Sequence, residues 1–365
     1  MTDQSAPALK EIFNVERLQH IAREMSAVYP AFDAKGFLKH AKAGLAQLSV
    51  MQRMARVSES LHAVIPLEYA QTLKLLYALA PQLNSAFVSL FLPHYVASYG
   101  QADFKRSMAA LKYFTTFGSA EFAIRHFLLN DFARTLAVMQ AWSLDDNDHA
   151  RRLASEGSRP RLPWSFRLAE VQANPELCAS ILNNLKADSS LYVRKSVANH
   201  LNDITKDYPD WVLDLIEGWN LDNPHTAWIA RHALRSLIKQ GNTRALTIMG
   251  AGAKADVKIQ HLSVTPAVIT LGERITLSFS LESTATTAQK LVVDYAIDYV
   301  KSAGHSAAKV FKLKAFTLGA GEQQRISREQ HIRELTTRKH YPGKHTVHVM
   351  VNGERLGSAD FVLRD

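Results

Sequence analysis

Up to residue 255 the apolar positions recur three and four residues apart, the spacing of amphipathic helices. Leu73, Leu76, Tyr77, Leu79 and Ala80 follow it, and so do Phe122, Leu128, Phe132 and Leu136. Beyond that point the pattern changes to alternation. Ile275, Leu277, Phe279 and Leu281 share one face of RITLSFSLE, and Val347, Val349 and Val351 share one face of HTVHVMVN. Asn352-Gly353 comes next and predicts a two-residue hairpin turn. Between the two regimes lies GAGAKAD (Gly250–Asp256), small and flexible, which reads as a linker. The pattern therefore predicts an all-α domain over 1–253 and a small all-β domain over 254–365. About seven or eight short strands in the second domain suit an immunoglobulin-like sandwich. All five tryptophans (Trp142, Trp164, Trp211, Trp219, Trp228) fall on the helical side, so the sandwich lacks the core Trp and Cys pair of antibody domains.

The helical part repeats itself. HARRLASEG (His149–Gly157), YVRKSVANHL (Tyr192–Leu201) and IARHALRSL (Ile229–Leu237) place Arg151, Arg194 and Arg231 alike, 43 and 37 residues apart. That is the period of HEAT-like helical repeats, which stack helix pairs around a continuous core. An acid precedes each block: Asp148, Asp188 and Asp222. Each arginine is then either a strut pairing with the acid just before it, or part of a cationic rail facing solvent, or both.

Length and composition change the picture in three ways. A chain of 365 residues with 47% hydrophobic and 21% charged content is an ordinary globular protein of two-domain size. A net charge of +9 favours an anionic partner: nucleic acid, an acidic protein or a membrane surface. A single cysteine, Cys178, excludes an intramolecular disulfide and a Cys-rich metal site, and fits a reducing compartment. The opening MTDQSAPALKEIF does not read as a signal peptide, so a cytoplasmic protein is expected. The most apolar stretch, Ser85–Tyr99, is short and broken by Pro93 and His94, and reads as core helix and loop rather than a membrane span. The two parts look self-contained, which predicts a monomer.

Candidate chemistry concentrates in ASEGSRPRLPW (Ala154–Trp164), where Glu156, Arg159, Arg161 and Trp164 lie along a path stiffened by Pro160 and Pro163. With Arg151, Arg152, Arg194 and Lys195 these arginines form a dense cationic set that could track phosphates. A solvated charged face is the plain alternative, but it has no reason to expose Trp164. Three acids accompany the set. Glu156 ends a helix, Asp203 lies near the end of the equivalent helix of the next repeat, and Glu121 opens a helix in FGSAEFAIRHFL. If neighbouring repeats stack, the three converge. Otherwise Glu121 is a first-turn acid or an i,i+4 partner of Arg125, and Asp203 caps a local turn. Glu156 resists a plain reading, because the helix dipole disfavours an acid at a helix C-terminus. No P-loop, GxGxxG or HExxH is present, and no serine stands in a nucleophile elbow. His126, His149, His200, His225 and His232 lack metal-ligand pairing, so neither metal nor cofactor is expected.

ASEGSRPRLPW, followed by LYVRKSVANHLNDITKDYPDWVLDLIEGW and HTAWIARHALRSLIKQG, resembles the bacterial DNA alkylation repair proteins, HEAT-like alkylpurine DNA glycosylases. The appended β-sandwich is similar to the AlkC branch, whereas the AlkD branch is helical throughout. The resemblance implies excision of cationic N3-alkylated bases, 3-methyladenine and 3-methylcytosine, from duplex DNA. It also implies that the nucleotide is not extruded into a pocket, unlike the usual base flipping. It puts Glu121, Glu156 and Asp203 at the lesion with Trp164 as an aromatic wall. Arg151, Arg152, Arg159, Arg161, Arg194, Lys195 and Arg231 are the expected DNA contacts. The catalytic aspartate and paired tryptophans of AlkD do not transfer position for position, which leaves the division of labour among the three acids open. Lys301, Lys309, Lys312, Lys314, Arg338 and Lys339 would let the β domain clasp the other side of the duplex. Two rivals are a non-catalytic DNA-damage-binding accessory and a HEAT scaffold for an acidic protein.

Overall fold

The computed structural model describes residues 9–251, 254–302, 304–334 and 339–364. Most of the opening run, Gly252 and Ala253 of the linker, and Arg338 lie outside the described residues. Among the described residues sixteen α-helices come first: α1 (Val15–Val28), α2 (Ala34–Lys42), α3 (Val50–Val64), α4 (Tyr69–Leu79), α5 (Phe91–Tyr99), α6 (Phe104–Phe114), α7 (Glu121–Asn130) and α8 (Phe132–Trp142). Then follow α9 (Asp148–Gly157), α10 (Ala169–Ala173), α11 (Ala179–Asn184), α12 (Leu191–Ile204), α13 (Pro209–Glu217), α14 (Pro224–Ala233), α15 (Arg235–Lys239) and α16 (Thr243–Ile248). Eight strands follow among the described residues: β1 (Val257–Thr265), β2 (Val268–Thr270), β3 (Arg274–Ser283), β4 (Gln289–Val300), β5 (Ser306–Leu318), β6 (Gln323–His331), β7 (Gly343–Val351) and β8 (Glu354–Arg364). The fold is the expected one, HEAT-like helical repeats followed by an immunoglobulin-like sandwich.

The chain forms two compact units, 1–208 with 220–230, and 209–219 with 231–365. In the first unit α7 packs on α9, and α9 on α12. Leu153, Ala154, Val193, Val197 and Leu201 are fully or almost fully buried between them, as their helical spacing requires. Ser85–Tyr99 is loop and helix as expected, but Pro93 and His94 do not break α5. Pro93 sits in the first turn of α5, where a missing N–H costs no hydrogen bond.

In the second unit a three-stranded sheet, β1-β3-β6, faces a five-stranded one, β2-β8-β7-β4-β5. Ile275, Leu277, Phe279 and Leu281 of β3 meet Val347, Val349 and Val351 of β7 in one core. Asn352 and Gly353 both have positive φ, 48° and 83°, which is the hairpin turn the sequence predicts. Gly353 also lies against Gly241, whose Cα would stand 2.5 Å from an added Cβ, so no larger residue fits there. The last helices, α15 and α16, belong to the same compact unit as the sandwich.

Candidate active site

Stacking brings the three acids of the first unit into one row. Glu121 opens α7, Glu156 stands one residue from the end of α9, and Asp203 stands one from the end of α12. They are 9%, 7% and 5% exposed. Buried carboxylates need partners, and here arginines supply them. Arg152 Nη1 donates to Glu121 Oε2 at 2.5 Å and to Ser119 Oγ at 2.6 Å. Its Nη2 lies 3.6 Å from Glu156 Oε1. Arg159 Nη1 donates to the same Glu156 Oε1 at 2.6 Å, and its Nε and Nη2 reach Asp203 Oδ2 at 2.8 Å. Lys206 Nζ closes the row on Asp203 Oδ1 at 3.2 Å. Carboxylates and cations thus alternate: Glu121, Arg152, Glu156, Arg159, Asp203, Lys206. Burial disfavours the charge on Arg152, but Glu121 and Glu156 more than offset it and raise its pKa above the ordinary arginine value.

Two of the plainer alternatives for these acids do not hold. Glu121 pairs with Arg152 of the next repeat helix, not with Arg125 four residues on. Asp203 lies inside α12 and pairs with Arg159, so it caps no turn. The unfavourable place of Glu156 at a helix C-terminus also has its reason, for two guanidiniums converge on its Oε1.

Arg125 has a role that sequence reasoning missed. Its side chain is fully buried, and Nη1 donates to the carbonyls of Gly157 (3.1 Å) and Arg159 (2.6 Å), while Nη2 donates to that of Phe166. Burial lowers its pKa to about 10, so it stays charged at neutral pH. One guanidinium therefore holds both ends of the loop 158–166. The available signal was a charge three residues from Phe122 and from Leu128, within the apolar pattern of the helix. Gly157 completes the joint. An added Cβ would stand 2.5 Å from Ile124 Cγ2, so α9 ends closer to α7 than any side chain allows.

Trp164 closes that loop with φ at 65°, a left-handed conformation that costs a non-glycine residue about 1–3 kcal/mol. The indole is 62% exposed and rests edge-on against Phe87, 6.4 Å between centroids. It lines an open cleft of about 510 Å³ together with Phe87, Phe122, Glu121, Glu156 and Arg159. Asp203 is joined to this cleft through Arg159 but is not among its walls. Glu156 Oε1 takes both arginines, whereas its Oε2 makes no hydrogen bond among the described residues.

The expected cationic rail has a different form. Arg151 is a strut, but its acid is Asp188, ahead of the following repeat (2.7 and 3.1 Å), rather than Asp148 just before it. It also donates to the carbonyls of Asp145 and Asp146. Arg194 donates to the carbonyls of Asp188 and Ser189 and lies over the Trp228 ring. Arg161 grips Asp207 in a two-pronged pair at 2.7 and 2.8 Å. Lys195 is exposed, and Arg231, in the second unit, is exposed too. Cys178 is buried and its thiol is pushed up to about 12 by burial, which keeps it unreactive. Among the described residues no cluster of His, Cys, Asp and Glu could hold a metal, and no helix is long and apolar enough to cross a membrane.

Residues 89–237 match the family model described as DNA alkylation repair enzyme, and residues 258–365 match that of the C-terminal Ig-like domain of the uncharacterised protein YhaZ. The chain is 40% identical over 354 residues to the uncharacterized protein YhaZ of Bacillus subtilis (strain 168), covering 97% of this chain and 98% of that one. It is 87% identical to a solved structure of the alkylpurine DNA glycosylase AlkC of Pseudomonas fluorescens, bound to DNA containing an abasic site analog. That match has a TM-score of 0.96 and covers 98% of this chain and 100% of the other.

Proposed function

Because this chain belongs to the AlkC branch of the DNA alkylation repair family, we propose that it is a DNA glycosylase for cationic N3-alkylated bases, 3-methyladenine and 3-methylcytosine, in duplex DNA. The observation that carries this reading is the row of three buried carboxylates, held in register by two arginines, beside an exposed indole. An N3-alkylated base in DNA is already positive. When its bond to C1′ breaks, the base takes the bonding pair and leaves neutral, so it needs no proton from an acid. Positive charge then develops on the sugar, and a water must add to C1′ and lose a proton.

The carboxylates suit both tasks. Glu156 lines the cleft, and its Oε2 is available to orient the water and take its proton. Glu121 and Asp203, with both oxygens engaged, contribute fixed negative charge. Arg152, Arg159 and Lys206 balance the three acids, so their desolvation is met before DNA arrives. The face of Trp164 stabilises a cation by roughly 0.5–2 kcal/mol. Its exposure favours a reaction at the duplex surface, without drawing the nucleotide into a pocket. Neutral lesions would gain little, so selectivity follows from charge.

Lys195, Arg161 and Arg231 are the proposed phosphate contacts, while Arg151, Arg152, Arg159 and Arg194 hold the repeats and the acids that face the lesion. Residues 1–253 would carry the reaction, in a cytoplasmic monomer. The sandwich 254–365 would add Lys301, Lys309, Lys312, Lys314 and Lys339 against the duplex. Incubating the purified protein with methylated duplex DNA tests the reading. Chromatography of the released bases should show 3-methyladenine and 3-methylcytosine; binding without any release would leave a non-catalytic accessory.

A further inference from the structure

Beside the cleft of the acid row lies a second recess, with about 220 Å³ of free space. Leu90, Ser119, Phe122 and Trp164 wall both, so the two adjoin across a shared partition. Their chemistry differs. The cleft carries Glu121, Glu156 and Arg159, whereas among the described residues no acid, lysine or arginine lines the recess. Phe122, Trp164 and Phe166 give it flat apolar surface, and Met51 and Met54 give it adaptable walls. Its space is below the roughly 300–1,000 Å³ of sites for drug-sized ligands. It therefore suits one flat ring system and excludes a whole nucleotide.

Two histidines, His94 of α5 and His126 of α7, set the polarity of the recess. Burial lowers the pKa of both, helped by His126 in the first case and by Arg125 in the second, so both rings are neutral at neutral pH. The tautomer of His94 follows from its neighbour. Ser58 Oγ donates to the Phe91 carbonyl at 2.8 Å, and a hydroxyl has one proton to give. The 3.2 Å bond between Ser58 Oγ and His94 Nδ1 is then donated by Nδ1–H. That leaves His94 Nε2 a lone-pair acceptor with no hydrogen bond among the described residues. A ligand suited to this recess is therefore uncharged, flat, about one heterocycle in size, and equipped with an N–H donor.

We propose that the recess receives the free base once its bond to C1′ has broken, with the ring against Phe122 and Phe166 and the amino N–H donating to His94 Nε2. The identity of this ligand rests on the excision reading. In the duplex the alkylated base is a cation and belongs beside the carboxylates of the cleft. On leaving it becomes neutral, and a recess without charged walls then suits it better than the cleft does. The sugar stays in the strand, so no nucleotide has to enter.

Calorimetric titration of the full chain with free 3-methyladenine, in the absence of DNA, tests it. The comparison ligand is 9-methylpurine, a methylated purine with no N–H donor. 3-Methyladenine should bind about fivefold more tightly, the worth of one ordinary hydrogen bond. His94→Phe keeps a ring and removes the acceptor, and should abolish that difference. Met51→Trp, at a partly exposed position of α3, should fill the recess and weaken both ligands. Equal binding of the two ligands by the unaltered protein would overturn the proposal, and so would binding that neither substitution changes. No binding by a protein that releases 3-methyladenine from methylated duplex DNA would also overturn it, while leaving the excision reading in place. Binding by a protein that releases no base would instead remove the excision reading, and with it the role of the recess as a product site.

Discussion

Glu156 is the residue whose surroundings say most about its work. One oxygen is held by Arg159 and faces Arg152, and the other is left open toward the cleft. Glu156→Gln keeps the shape and removes the charge. Excision should fall by about 100-fold or more, as when a preorganised electrostatic group is lost, with duplex affinity retained. Arg159 sets a different expectation. Arg159→Ala takes the nearest cation from the carboxylates of Glu156 and Asp203, both buried, and removing one partner of a buried ion pair costs about 3–5 kcal/mol. Urea unfolding should register that loss; a midpoint unmoved by the substitution would mean that the row is not a structural element. His200 gives a pH signature. It is fully buried, Nδ1–H donates to the Ser155 carbonyl, and burial lowers its pKa to about 3. In the unfolded chain it takes a proton near pH 6.5, so the unfolded state binds more protons below that value. The contribution of His200 is thus complete above pH 6.5 and is lost as pH falls from there towards 3, by about 1.4 kcal/mol per pH unit. His200→Leu should flatten the fall of stability between pH 6 and pH 4 relative to the unaltered protein, measured by chemical denaturation at each pH.

At the scale of elements, the site depends on where α9 stops. Gly157 lets the helix end press on Ile124 and Met139, and Arg125 then ties the loop beyond it through three carbonyls. Gly157→Ala should overpack this joint and cost about 1–3 kcal/mol in denaturant unfolding; a neutral substitution would mean that α7 and α9 separate easily. Much of this level was legible in the sequence. Periodicity located the helices, alternation and Asn352-Gly353 located the sandwich, and the matched blocks placed Glu156 and Asp203 on neighbouring helices. What was not legible is which arginine meets which acid. Arg151 with Asp188, Arg152 with Glu121, and Arg159 with Asp203 all join residues more than thirty positions apart. Sequence spacing identifies i,i+4 neighbours on one helix, not partners on the next, so it offers Arg125 as an alternative partner for Glu121 but cannot point to Arg152 of α9. The left-handed backbone of Trp164 was hidden for a similar reason, since only the surrounding contacts can hold a tryptophan there.

At the scale of the molecule, the change from helix to strand and the division into compact units fall in different places. Strand begins at Val257, but α13, α15 and α16 share their unit with the sandwich. A chain ending at residue 253 should therefore lose cooperativity in its last helices and melt below the full chain; an unchanged melting temperature would show that those helices need no sandwich. The net charge of +9 works at this scale as well. Duplex affinity should fall steeply with salt, and charge reversal at Lys195 should flatten that slope by about one unit. The measurement that bears most directly on the chemistry is single-turnover release of 3-methyladenine from duplex DNA by the unaltered protein and by Glu156→Gln, with DNA affinity determined for both. A carboxylate that orients water beside a positive sugar predicts release slowed by about 100-fold or more at unchanged affinity. Equal release rates from the two proteins would contradict it.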